Sequence, residues 1–292
     1  MSANLQRPGR PYANLASTAF SLLCAACAFS SVGVLLLLLW QMALYAWGWL
    51  DWEFLTNFDS HSSPEIAGVR AGLVGSLYLI GLTTLFSVPI GMGTAIYLEE
   101  YATRGRWRTI VQTNIANLAG VPSIVYGILG LGLFVRGMQM GAGVLAGALT
   151  LTLVVLPIVI LASQEALRAV PSTIRQASYA LGATRWQTVW RQLLPAALPG
   201  MMTGVILALS RALGEAAPLV AIGAAGFVTF VPQGINDKFT ALPLQIYNWT
   251  ENAQEEFHHV AAAGIIVLLV VLICLNAVAV FLRQRFGKRI HW

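Results

Sequence analysis

The residues best suited to chemistry in this chain are Arg211 and Glu215, two charged side chains set in otherwise uncharged, apolar sequence. They stand four apart, which on a helix places both on one face and lets each neutralise the other. A guanidinium presents a planar fork of donors that matches a tetrahedral oxyanion in bidentate fashion. Held by Glu215 when the site is empty, Arg211 can exchange that carboxylate for a passing anion such as phosphate at little electrostatic cost. The hydroxyl of the neighbouring Ser210 is placed to assist. The alternative reading is a structural ion pair that fixes two helices. Catalysis by other groups finds no support. Cys24 and Cys27 form a C-x-x-C inside an apolar run with no second ligand pair, so neither a metal nor a redox role is expected. Lys238 is followed by Phe239 and Lys288 by Arg289, so the chain contains no G-K-[ST] phosphate loop and is not expected to hydrolyse ATP.

The elements that must position Arg211 and Glu215 follow from composition. Of 292 residues, 57% are hydrophobic and 10% are charged, against roughly 25% charged in an ordinary soluble domain. Residues 11–50, 71–98, 109–135, 137–164, 192–210 and 257–282 contain no Asp, Glu, Lys or Arg. A helix needs about 20 apolar residues to cross the hydrocarbon of a bilayer. Five of these stretches exceed that length, and the fifth continues past Arg211 and Glu215 towards Ile235. None shows the period-two alternation of a membrane barrel, so the expectation is an all-α membrane protein with six transmembrane helices in one domain spanning 1–292. With the fifth span running from near Pro199 to near Gly223, Arg211 falls near mid-membrane, where an arginine costs about 3 kcal/mol on insertion scales and marks function by default. Pro89, Pro122 and Pro157 are expected to kink their spans. Gly143/Gly147 and Gly200/Gly204 fit the small-x-x-x-small pattern of close helix packing.

The net charge of +5 is not spread as a nucleic-acid surface would be. Thirteen of the seventeen basic residues fall on one side of the alternating topology: Arg7, Arg10, Arg104, Arg106, Arg108, Arg168, Arg175, Arg185, Arg191, Arg283, Arg285, Lys288 and Arg289. Cytoplasmic loops carry the Lys/Arg excess, so both termini are expected inside. The longest basic-side connection, 164–197, contains two short helices. The first begins near Pro171 or Ser172 and ends at Gly182. The second begins at Thr184, where Gln187 completes a capping-box pattern, and is expected to stop by Pro195. Trp186, Val189, Trp190 and Leu193 share one face of it. Such a rigid pair with an apolar stripe suits either docking of a soluble partner or an amphipathic helix lying on the membrane surface. On the other side, Phe230, Pro232 and the run Leu242-Pro243-Leu244 suggest that part of 226–256 folds back against the membrane.

Several motifs resemble a known family. Gln176-Ala177-Ser178, Gly182, Gln192 and Leu194-Pro195 match the frame of the EAA loop of ABC importer permeases, with Gln176 where that loop has an acidic residue and Gln192 where it has an aliphatic one. The segment ALSRALGEAAPLVAIGAA (208–225), with IYLEEYA (96–102) and GVPSIVYGILGL (120–131), resembles the permeases of phosphate ABC importers, the PstA/PstC pair. FTALPLQIYNW (239–249) is similar to PstA specifically. The resemblance implies a type I importer permease fold and an inner-membrane subunit moving inorganic phosphate by alternating access. It implies three protein partners: a cytoplasmic ATPase dimer, a second PstC-like permease and an extracytoplasmic phosphate-binding protein. ATP and Mg belong to the ATPase, and this chain binds no cofactor of its own. Arg211, Glu215 and Ser210 then become the phosphate contacts and gate. Gln176, Ala177, Gly182, Trp186, Trp190, Leu194 and Pro195 become the ATPase-coupling residues. A permease for sulfate or molybdate, or a self-sufficient secondary transporter, is the alternative.

Overall fold

In a bilayer every backbone N–H and C=O must find its partner within the protein, and the long uncharged runs do so as helices. The computed structural model describes residues 11–103 and 105–287, with side chains for 17–103 and 105–285. Arg7, Arg10, Arg104, Lys288 and Arg289 of the charge count lie outside the described residues. In chain order the helices are α1 (Pro11–Tyr45), α2 (Trp52–Thr56), α3 (Arg70–Ile96), α4 (Arg106–Ala119), α5 (Ser123–Gly130) and α6 (Val144–Arg168). They continue as α7 (Ser172–Ala180), α8 (Arg185–Thr188), α9 (Leu194–Leu213), α10 (Ala217–Ala221), α11 (Leu242–Thr250) and α12 (Glu256–Gly287). Wider π turns extend α3 over Tyr97–Tyr101 and α5 over Leu131–Gly137, and join α8 to α9 over Val189–Leu193. Five helical runs are long and apolar enough to cross a membrane, and a sixth crossing is a bent pair.

That bent pair corrects one expectation. The third stretch is not a single kinked span: α4 and the α5 run meet at 104°. Pro122 lacks an N–H and pushes Val121 out of the helical region, while Gly120 caps α4, so three consecutive residues oppose helix continuation. Pro89 and Pro157 lie inside unbroken α3 and α6, where neither proline ends its helix.

The fifth span is corrected as well. It does not run from Pro199 to Gly223, but from Arg185 through Pro195 and Pro199 to Leu213, where Gly214 caps it. The hydrogen-bond pattern explains how. In the π turn the Leu194 N–H reaches Val189 O, five residues back, so the ladder is already widened where the ring and missing N–H of Pro195 arrive.

The core is a three-helix layer. Parallel α3 and α6 pack side by side, with Thr83 Oγ1 donating to Ala148 O at 3.3 Å, and α9 crosses α6 antiparallel. Gly204 meets Ala162 and Gly200 meets Ala166, which confirms the second small-residue pair as a helix crossing. The first pair does something else. Gly143 abuts the backbone of Asn236, and Gly147 abuts the Phe239 ring and Leu79 of α3, so both admit the returning 226–256 segment and Gly147 also admits α3. That segment does fold back, as expected. Phe239, Leu242, Leu244, Gln245 and Trp249 are buried, and a Cβ at Gly75 would collide with Thr240 O. Along α1 and the outer face of α12, large apolar side chains such as Phe29, Leu37, Ile273 and Phe281 stay exposed, as lipid-facing residues must.

The α6–α9 contact gives a direct test. Gly204→Val forces a side chain into Ala162 and is expected to cost about 1–3 kcal/mol. Gly93→Ala meets nothing within 4 Å and is expected to gain roughly 0.5–1 kcal/mol. Thermal unfolding of the purified chain in detergent should rank the variants in that order around the parent.

Candidate functional site

The basic-end loop forms as two helices divided by a glycine. Gly182 takes φ +79°, a left-handed conformation that glycine adopts without strain, and thereby ends α7. Thr184 caps α8 with both capping-box bonds: Gln187 N donates to Thr184 Oγ1 at 3.3 Å, and Thr184 N donates to Gln187 Oε1 at 2.9 Å. A groove of about 480 Å³ lies between the helices, lined by Ile174, Ala177, Leu181, Gly182, Gln187 and Arg191 among others. Gln176 is exposed beside it.

The apolar stripe expected on α8 divides. Trp186 and Trp190 are 62% and 58% exposed and stack at 5.5 Å, whereas Val189 and Leu193 are buried against Leu167, Val170 and Met201. The π turn shifts the register, so residues that would share a face of an α-helix part company. Leu194 and Pro195 do not end the loop; they lie within the continuous helix, Leu194 half-buried and Pro195 exposed.

Beneath the loop lies an ionic cluster whose acidic members sequence reasoning left without a role. Glu99 accepts from Arg168 NH2 at 2.6 Å and from Arg108 NH2 at 3.1 Å, and Glu100 accepts from Arg175 NH2 at 2.8 Å. The signal was present in IYLEEYA, where two adjacent carboxylates close an apolar run at the arginine-rich end.

Arg211 and Glu215 are brought together, Arg211 Nε donating to Glu215 Oε1 at 3.1 Å. Arg211 stands in the last turn of α9, and Glu215 lies just before α10. Each charge therefore complements the helix end beside it, the cation at a C-terminus and the anion at an N-terminus. Although α9 ends here, the pair is deep. Neighbouring Ala212 is buried in one cluster with Val155, close to the midpoint of α6, and Ile80 packs against it. The Arg211 side chain is 47% exposed and Glu215 18%, so the cation is the more accessible partner. Ser210 is not brought to them. Its hydroxyl donates to Ile206 O at 2.7 Å and lies 2.6 Å from Asn276 Oδ1 on α12, because adjacent residues of a helix point about 100° apart.

Comparison with known proteins bears on this arrangement. The profile of the family described as binding-protein-dependent transport system inner membrane component matches residues 87–292. The chain belongs to this family. Among its relatives, the phosphate transport system permease protein PstA 1 of Mycobacterium tuberculosis is 35% identical over 217 residues, covering 74% of this chain and 70% of that one. PstA of Haemophilus influenzae is 32% identical over 242 residues, 78% of this chain and 85% of its own. Among solved structures, a bacterial alginate ABC transporter in complex with its alginate-bound periplasmic protein aligns with TM-score 0.67 at 16% identity, over 93% of this chain and 97% of that one. The inward-facing MetNI methionine ABC transporter aligns with TM-score 0.58 at 19% identity, over 74% of this chain and 94% of that one. These two share the fold.

In this inner-membrane component a carboxyl between α2 and α3 is perturbed by burial. Asp59 is buried beside Trp249, whose Nε1 donates to Asp59 Oδ1 at 2.9 Å. Burial pushes its carboxyl up from 3.8 to about 6, against the lowering effect of the Trp249 and Gln245 hydrogen bonds. The unfolded chain gives up this proton at lower pH than the folded one. Stability from the neutral acid is thus complete below the unfolded value and lost as pH rises through about 6. Asp59→Asn keeps an acceptor for Trp249 without the charge. It is expected to flatten that loss, by about 3 kcal/mol at neutral pH, and melting temperatures of both proteins measured from acid to neutral pH check it.

Proposed function

We propose that this chain is the PstA-like permease subunit of an ATP-driven importer that carries inorganic phosphate across the inner membrane by alternating access. The observation that carries the proposal is one continuous helix, Arg185–Leu213, joining the α7/α8 groove to Arg211 over roughly 40 Å at 1.5 Å per residue. Identity to phosphate permeases over most of the chain supports phosphate as the cargo. The arginine excess supports a cytoplasmic position for the loop and both termini.

In this reading a cytoplasmic ATPase dimer, which holds ATP and Mg, grips the groove at Ala177 and Gly182 and the exposed side chains Gln176, Trp186 and Trp190 outside it. A second, PstC-like permease completes the pathway, and an extracytoplasmic binding protein delivers phosphate at the acidic end. Closure of the ATPase pulls α7 and α8, and the rigid helix carries that displacement to Arg211. There the guanidinium exchanges Glu215 for phosphate. The exchange keeps affinity modest, since the carboxylate competes for the same donors and favours release. Ser210 and Asn276 brace α9 against α12 instead of touching the anion.

Uptake of labelled phosphate into proteoliposomes with ATP inside and binding protein outside tests the proposal. Excess unlabelled sulfate is expected to leave uptake unchanged, and competition would reassign the cargo to another oxyanion. Arg211→Ala is expected to lower uptake on the order of tenfold or more, the worth of a charge-assisted hydrogen bond, while ATPase association persists. Trp186→Asp is expected to abolish co-purification of the ATPase and phosphate uptake with it.

A further inference from the structure

We infer that Glu100 and Arg175 form the joint through which the coupling helix α7 moves α3, and that Glu100 is a positioning residue for transport. The inference rests on the coupling role proposed above for the α7/α8 loop.

The chain's connectivity sets the problem. Helix α7 is joined by peptide bonds to α6 through residues 169–171 and to α8 through 181–184. A pull on α7 therefore reaches α6 and the α8–α9 helix along the backbone. It has no such route to α3, which packs along α6 as one wall of the core. Among the described residues, the ion pair between α7 and the α3 run is Arg175 with Glu100.

The geometry of Arg175 suits a joint. Its Nε and NH2 both donate to Glu100 Oε1, at 3.1 and 2.8 Å. Its NH1 donates to Val170 O at 3.2 Å and its NH2 also to Leu167 O at 3.0 Å. Those carbonyls lie at and just beyond the C-terminal end of α6, where Leu167 O also accepts from the Val170 N–H at 3.3 Å. One planar guanidinium thus binds the end of α6, the start of the loop and the π turn of α3. The Glu100 side chain is 8% exposed and that of Arg175 23%, so the carboxylate is the shielded member, and removing Arg175 leaves it without its charge partner.

Glu99, one position earlier, points elsewhere. Among the described residues its ion pairs are with Arg168 of α6 and Arg108 of α4, and neither is with α7 or α8. The two adjacent carboxylates divide the work: Glu99 clamps spans to one another, and Glu100 ties a span to the moving element.

The test measures phosphate uptake and ATP hydrolysis on the same proteoliposomes containing the complete complex. Glu100→Gln is expected to leave assembly and ATP hydrolysis in place and to lower phosphate moved per ATP about tenfold, within the usual range of coupling between sites. Glu100→Asp, which keeps the carboxylate, is expected to retain more of that ratio than Glu100→Gln, and a merely structural role would instead lower assembly or ATP hydrolysis. Should Glu100→Gln fail to assemble, Arg175→Lys, which keeps the charge but not the four-contact fork, is expected to show the lowered ratio. A parental ratio in whichever single variant assembles overturns the joint. Parental vesicles that hydrolyse ATP without taking up phosphate would instead overturn the transport reading, and the joint with it.

Discussion

The helix that continues from Arg185 to Leu213 through two prolines is the constraint on which the rest depends. A proline at position 195 would ordinarily divide a surface helix from a membrane helix, leaving a flexible hinge between loop and span. The π turn over Val189–Leu193 absorbs the proline and removes the hinge. It also turns Val189 and Leu193 into the core while leaving Trp186 and Trp190 outside. One local widening therefore makes a rigid strut and presents a stacked indole pair at its exposed end.

At the other end the strut stops within the depth of the bundle. A helix that ends there leaves carbonyl groups facing a low-dielectric interior, which is tolerable where the backbone lines a polar cavity or finds compensating charge. Arg211 supplies that charge to the end of α9, and Glu215 answers it at the start of α10. The pair is thus structural and available for exchange at once. The same electrostatics that make Arg211 tolerable without a ligand make it receptive to an anion that can take the place of Glu215.

How much of this was legible in the sequence depended on how local the physics was. The spans follow from uncharged length, and Gly182, Thr184 and Gln187 follow from cap chemistry within four residues. The Arg211–Glu215 contact follows from spacing alone. Three features were misread because a rule for isolated residues met a context of several. Pro195 was read as a stop because α-helical bonding was assumed on both sides of it. Pro122 was read as a kink because Gly120 and Val121 were not weighed with it. Ser210 was grouped with Arg211 by adjacency, although helical rotation sends it to Asn276. The Glu99 and Glu100 partners lie up to 75 residues away, so no local pattern announces them.

The seating of α1 has a consequence for biosynthesis. This helix packs chiefly on α12, with the Tyr45 carbonyl at 2.8 Å from His259 Nδ1 and Trp49 stacked on the same ring. The first span to leave the ribosome thus has its main partner in the last. Until α12 inserts, α1 must wait in lipid as a lone hydrophobic anchor, and its uniformly apolar surface suits it to that wait. A nascent chain stopped short of α12 would lack the packing of that helix on α9 and α11 and would leave α1 without its main partner, a state that membrane quality control could recognise by that exposed helix.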